Sequence, residues 1–230
     1  MSLFCIADLR LSIGVDKPMD IFEGWDNHIE RLLNNWNSIV KDEDTVIVAG
    51  DICWALKLDE CYKDFEFINN KLKGNKIFLK GNHDLWWGTK KKVDNYLEEN
   101  NFSKIKILFN NSYKVGNYNI CGTRGWNLEV DSAEDEKVLN RELGRLKLSL
   151  DSVDNDLETI VFLHYPPVFG NQCCQEIFDI LHNYNIKKCY YGHLHGRKIT
   201  KYAFNGDYED IKLKLISSDS VAFTPVLIAK

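Results

Sequence analysis

The chain has 230 residues and a formal net charge of −5, which argues against a general nucleic-acid binder, since those usually present a basic patch. Apolar residues make up 44% and aromatics 12%, enough for a substantial core, and no stretch approaches the roughly 18 apolar residues of a membrane span. The acidic balance leaves a small anionic substrate open, because a bound metal reverses the local field. Asp8 and Arg10 interrupt any apolar leader and no basic segment precedes them, so no secretory signal is expected. The seven cysteines are odd in number and lack C-x-x-C spacing, which predicts reduced thiols in a cytoplasmic protein.

In chain order, short apolar runs alternate with amphipathic segments. Residues 3–7 read as a first strand that stops abruptly at Asp8. Over 25–40, Ile29, Leu32, Leu33, Trp36 and Ile39 recur near a spacing of about 3.6, which predicts a helix. Residues 45–49 (TVIVA) are short, apolar and β-branched, as buried parallel strands are. A helix over 60–72, a strand over 76–79 and a helix over 90–99 follow. This alternation argues for a parallel sheet with crossover helices.

The middle of the chain changes character. Residues 105–109, 112–115 and 118–121 read as short strands separated by Asn and Gly turns, the pattern of antiparallel hairpins. A long charged helix is predicted over 133–150. Strands over 159–163 and 188–191 then enclose a helix near 174–184. The tail, 198–227, reads as three strands with a turn at Asn205-Gly206. With no linker, repeat or low-complexity tract, the expectation is one domain over 1–230, built as two packed sheets with helices outside.

Five times an apolar strand ends in a metal-type ligand: Asp8 after CIA, Asp51 after VIVAG, Asn82, His83 and Asp84 after IFLKG, His164 after VFL, and His193 and His195 after CYYG. In open α/β sheets the carboxyl ends of strands face one crevice, where ligands bind. Carboxylate, carboxamide oxygen and imidazole together suit divalent Mn, Fe or Zn. Any one of these motifs alone has an ordinary reading as a turn or cap; all of them in this arrangement point to a metal centre. His28 and His182 fall on predicted helices and read as surface residues.

These motifs resemble those of the calcineurin-like metallophosphoesterases. The family pattern D-x-H, G-D, G-N-H-D/E, a lone His and G-H-x-H stands here as Asp8-Leu9-Arg10, Gly50-Asp51, Gly81-Asn82-His83-Asp84, His164 and Gly192-His193-Leu194-His195. IADLRLS, GNHDLWW, GTRGW and HYPP further resemble a bacterial group of predicted phosphohydrolases. The resemblance implies an α/β fold, a four-layer α/β/β/α sandwich of two mixed sheets flanked by helices, with one or two divalent metal ions between the sheets. It implies that Asp51 bridges two metals, that Asn82, His164 and His193 complete one site, and that Asp8, His195 and residue 10 complete the other. His83 would stand near the leaving-group oxygen, oriented by Asp84. The implied reaction is hydrolysis of a small phosphorylated substrate, a phosphodiester or a phosphomonoester.

Residue 10 departs from this pattern. Arginine has only donors and stays protonated, so it cannot coordinate a cation. Water could replace the missing ligand, the site could stay empty, Arg10 could grip phosphate bidentately, or it could pair with an acidic neighbour; the reading adopted here is a weakened but occupiable second site. Arg10 is also the one feature favouring an alternative function, an impaired relative that binds a phosphorylated ligand or partner. Arg124, in GTRGW, is a second candidate for the substrate phosphate, with a structural salt bridge as the other reading. Trp54, Trp86, Trp87, Trp126 and Tyr165 lie close to the motifs and offer an aromatic rim or simply loop packing.

Overall fold

The computed structural model describes residues 1–230. In chain order the elements are β1 (Leu3–Ile6), α1 (His28–Ile39), β2 (Thr45–Ala49), a short 3₁₀ turn (Leu58–Cys61) running into α2 (Tyr62–Lys71), β3 (Asn75–Leu79), α3 (Lys90–Glu99) and β4 (Ile105–Ile107). The second half comprises β5 (Tyr113–Val115), β6 (Tyr118–Thr123), α4 (Ala133–Asp151), β7 (Glu158–Leu163), β8 (Val168–Phe169), β9 (Gln172–Cys173), α5 (Gln175–Asn183), β10 (Lys188–Tyr191), α6 (Arg197–Thr200), β11 (Gly206–Tyr208), β12 (Ile211–Leu215) and β13 (Val226–Ala229). No helix is long and apolar enough to cross a membrane.

Two mixed sheets carry the fold. The first has five strands in the order β13-β1-β2-β3-β4; the second has six, in the order β11-β12-β10-β7-β6-β5. Side chains alternate across each strand, and the burial follows that period. Leu3, Cys5, Ile47, Ala49, Ile77 and Leu79 of the first sheet meet Ile120, Ile160, Phe162 and Tyr190 of the second in one apolar layer. On the outer face of the first sheet, Phe4, Ile6, Val46 and Val48 pack with Leu32 and Trp36 of α1 and Phe65 and Ile68 of α2. On the outer face of the second, Val161, Leu163, Cys189 and Tyr191 pack with Leu139 and Leu146 of α4 and Ile177, Phe178 and Leu181 of α5. The result is the four-layer α/β/β/α sandwich.

Local chemistry sets the helix ends. The Thr89 side chain accepts from Lys92 N ahead of α3, and the Ser132 side chain accepts from Asp135 N ahead of α4. Such caps satisfy amide donors that have no partner in the first turn. Glu134, Asp135 and Glu136 add negative charge where the α4 dipole is positive.

Three sequence expectations change. Residues 105–109 do not join an antiparallel meander: β4 pairs parallel with β3 at the edge of the first sheet, and only β5 and β6 form the hairpin. In the tail, the hairpin turn lies at Glu209-Asp210, both at positive φ, as tight β-hairpin turns require. Asn205 instead accepts from Leu215 N through its Oδ1, and β13 crosses to pair with β1 in the other sheet. His28 is not a surface residue: it is 6% exposed and packs edge-on against Trp25 at 5.4 Å. His182 is exposed, beside the Glu209 carbonyl oxygen at 2.9 Å.

Lys76 is the one fully buried lysine, with its Nζ donating to the carbonyls of Leu72 and Gly74. Burial pulls its pKa from 10.5 down to about 7. A depressed lysine pKa means that the folded state binds fewer protons than the unfolded one between those values, so this group adds stability as pH rises through that window. Wild type should therefore gain roughly 1–3 kcal/mol relative to Lys76→Met between about pH 7 and about pH 9.5. Urea unfolding of both proteins at the two pH values checks this; parallel curves would refute it.

Candidate metal centre

The site lies where the strands of both sheets end. Asp8 follows β1, Asp51 follows β2, Asn82, His83 and Asp84 follow β3, His164 follows β7, and His193 and His195 follow β10. Asp8, Asp51 and His164 are essentially fully buried, and their ligand atoms lie within 4.8 Å of one another. Asp8, Arg10, Asp51 and His193 all have positive φ, between 48° and 72°. Side-chain-bearing residues seldom adopt that region, and clusters of them mark sites whose surroundings overdetermine the backbone. The fold turns the chain sharply at each strand end and so aims these side chains inward.

Glycines make the close approach possible. A Cβ on Gly50 would sit 2.6 Å from His164 Nδ1. One on Gly192 would sit 2.7 Å from Asp8 Oδ2.

One corner of the site is built from converging acceptors. His164 Nδ1 lies 3.0 Å from the Ala49 carbonyl oxygen, which requires Nδ1 to carry the proton. In the neutral ring Nε2 is then a bare lone pair. It faces Asn82 Oδ1 at 2.7 Å and Asp51 Oδ1 at 3.5 Å. His193 Nδ1 lies 2.9 Å from the same Asn82 oxygen. Nitrogen and oxygen donors from four strand ends thus aim at a common point, a set that fits a divalent ion of the Mn, Fe or Zn type. Burial, followed by the neighbouring His164, pulls the His193 pKa down to about 4, which keeps its ring available as a ligand.

The other corner differs. His195 Nδ1 donates to Asp219 Oδ1 at 3.0 Å, and Asp219 Oδ2 also accepts from Gly196 N. His195 Nε2 lies 2.9 Å from Asp8 Oδ1. Burial opposes charging of His195, but Asp8 and Asp219 carry its pKa up to about 9. Burial likewise opposes ionisation of Asp8, yet His195 holds its carboxyl well below the usual range. Arg10 completes this corner: its Nη2 donates to Asp51 Oδ2 at 2.9 Å and stands 3.8 Å from Asp8 Oδ1, while its Nε is 3.2 Å from His195 Nε2. Of the fates open to Arg10, the structure contains the ion pair, made with the carboxylates of the site itself.

The remaining predicted residues separate into two groups. His83 is half-buried, its amide donates to Asp51 Oδ1 at 2.8 Å, and its ring lies 4.7 Å from that of Trp54. Burial lowers its pKa. Asp84 does not orient the His83 ring. Its buried carboxylate accepts from Asp51 N at 2.9 Å, Ile52 N at 2.8 Å and Gly81 N at 2.7 Å, tying the β2 and β3 loops together. Burial and the Asp51 charge push it up to about 7, against the Gly81 and Ile52 amide donors.

Arg124 sends its guanidinium to Glu142 at 3.4 Å and over Trp126 at 4.8 Å, the structural salt bridge. Its carbonyl accepts from His164 N and Tyr165 N, so it supports the loop that carries His164. Of the aromatic residues near the motifs, Trp54 is half-exposed beside the site, while Tyr165 is buried with its ring 4.3 Å from that of His193. Trp86 and Trp87 are buried in the first outer core, and Trp126 packs on Arg124 and Tyr165. Asp219 was missed by sequence reading. Its signal was weaker than for the others: the polar cluster (SSD) follows β12, whose alternating IKLKL is not an apolar run.

Comparison with known proteins agrees with this geometry. No match was found among curated proteins. Among solved structures, TT1561 of Thermus thermophilus is similar over 99% of this chain and 97% of its own, with 11% identity and a TM-score of 0.58. The purple acid phosphatase PPD1 from yellow lupin is similar over all of this chain and 45% of its own, with 12% identity and a TM-score of 0.51. At such identities the likeness is one of fold. The family model of the calcineurin-like phosphoesterases matches residues 1–197, a span that includes every strand end contributing to the centre except that of β12. By that match the chain belongs to the calcineurin-like phosphoesterase family.

Proposed function

We propose that this chain hydrolyses a small phosphate ester, a phosphodiester or phosphomonoester, with a divalent ion held by Asp51, Asn82, His164 and His193. The observation that carries this reading is the pair of acceptors, His164 Nε2 and Asn82 Oδ1, facing each other at 2.7 Å. With the His164 ring neutral these are two facing lone pairs, which a cation between them would take. The ion, Mn, Fe or Zn by its donor set, supplies positive charge to the phosphoryl oxygens and lowers the pKa of water.

The chain's own residues supply the rest. Asp51 and the His83 amide share a hydrogen bond of 2.8 Å, so the His83 ring is registered to the centre. That ring has no protein hydrogen-bond partner and lies against Trp54, free to donate a proton to the departing oxygen. In the reaction water's oxygen bonds to phosphorus, the bond to the leaving oxygen breaks, and the leaving oxygen takes a proton. Asp84 acts as a positioning residue through the two loops that it ties. Arg10 offers donors to a phosphoryl oxygen. The odd number of cysteines without C-x-x-C spacing suits a reducing compartment, and we take the cytoplasm as its location.

Arg10's ion pairs with Asp51 and Asp8 favour a second reading, a relative that binds a phosphorylated ligand without turning it over. Chromogenic phosphodiester and phosphomonoester assays with added Mn separate the two. Turnover should require the metal, and His83→Ala should lower kcat by about 10²–10⁴-fold, the usual contribution of a general acid. No turnover with any divalent ion would leave the binding reading. A second test uses Gly81→Ala, whose Cβ would overlap Asp51 Oδ1 and N. This variant should lose turnover and bind Mn at least about tenfold more weakly, with circular dichroism separating loss of the centre from loss of the fold. Unchanged Mn affinity by calorimetry would remove Asp51 from the centre.

A further inference from the structure

Resting on that reading of the centre, we propose that Arg10 is a resident cation: its guanidinium stands in the place of a second metal, and the centre takes one divalent ion per chain. Asp8 is a carboxylate with no exposed surface. A buried carboxylate is strongly disfavoured unless paired. Around it stand the groups that a cation at this corner would use: Asp8 Oδ1, Asp51 Oδ2 and His195 Nε2. Arg10 engages all three, at 3.8, 2.9 and 3.2 Å.

Each contact removes a ligand atom. Asp51 Oδ2 is the carboxylate oxygen turned toward this corner, and it accepts a charge-assisted hydrogen bond from Nη2. His195 Nε2 has one lone pair. In the neutral ring it accepts from Arg10 Nε; in the charged ring it is a donor to Asp8. Either state leaves nothing for a metal. A divalent ion here would also meet the guanidinium charge at short range in a poorly solvated site.

The guanidinium does not reach this corner by chance of side-chain placement. Arg10 N donates to the Asp51 carbonyl and Leu11 N to that of Ile52, so the backbone runs beside the β2 loop. Arg10 takes a positive φ of 48° there. Its side chain is only 11% exposed and its guanidinium carbon lies 5.0 Å from the Trp54 ring centroid, a cation–π contact that helps hold it there. A His at this position would return an imidazole ligand to the same corner and remove the competing charge. The opposite corner, Asp51 Oδ1, Asn82 Oδ1, His164 Nε2 and His193 Nδ1, accepts no hydrogen bond from Arg10 and keeps its full ligand set.

The test counts metal on the intact chain. Apo protein is equilibrated with Mn(II), and bound ion is measured by elemental analysis and by electron paramagnetic resonance. Wild type should bind one ion per chain, with the spectrum of an isolated Mn(II). Arg10→His should bind two and show spin coupling between neighbouring ions. Asn82→Ala should reduce both proteins by one ion. Circular dichroism monitors folding, and should Arg10→His not fold, Arg10→Gln serves instead, with a second ion bound more weakly than the first. Two ions on wild type, or one on a folded Arg10→His or Arg10→Gln, would overturn the resident cation while leaving the phosphoesterase reading intact. No ion on wild type and none on either variant would overturn the metal centre itself, and the resident cation with it.

Discussion

Two buried carboxylates, Asp8 and Asp51, stand where the two sheets meet, and the rest of the site is arranged around their need for positive charge. Carboxylates removed from water must be paired, hydrogen-bonded or protonated. Asp8 meets His195, Arg10 and the His193 amide; Asp51 meets Arg10 and the His83 amide. Imidazole and carboxamide donors from three further strand ends close the same space. Without this constraint there would be no reason for five strands from two sheets to end in polar residues at one depth.

That arrangement demands an unusual backbone. Four of the residues involved, Asp8, Arg10, Asp51 and His193, sit at positive φ, a conformation that costs about 1–3 kcal/mol per residue. The apolar layer between the sheets, with Ile160, Phe162 and their partners fully buried, holds the strand ends where these turns must occur. Asp84 adds a local restraint. By accepting from the amides of Asp51, Ile52 and Gly81 it locks two loops from neighbouring strands into one unit. Asp219 does the same on the far side, fixing the His195 ring and the backbone at Gly196. Such outer partners set ring orientation and tautomer at metal sites.

Much of this was legible in the residues. The helix over 90–99 and the strands at 45–49 and 188–191 coincide with their predicted spans, because helical period, the β-branched run TVIVA and the aromatic pair Tyr190-Tyr191 carry local signals there. The strand-end polar motifs were visible because each interrupts an apolar run. Other features were hidden. β4 reads like its neighbours β5 and β6, but which sheet it joins depends on the pairing surface offered by β3. His28 lies on a helical face covered by its near neighbour Trp25 and by Phe223, which comes from a distant segment. Asp84 looked like the partner of the adjacent His83, yet three amide donors from folded loops had a stronger claim on it.

The sequence by itself determined the layer pattern and the identity of the polar groups, since side-chain periodicity decides which face of a strand is buried and a strand's end decides where its loop begins. It also determined that residue 10 carries a permanent charge where the family pattern has a ligand. Only the tertiary structure decided where that charge goes. Asp8, Asp51 and His195 are separated by up to 187 residues along the chain, and their distances to Arg10 exist only once two sheets have stacked. Local chemistry names the donors and acceptors; the packing of the sandwich decides which of them meet.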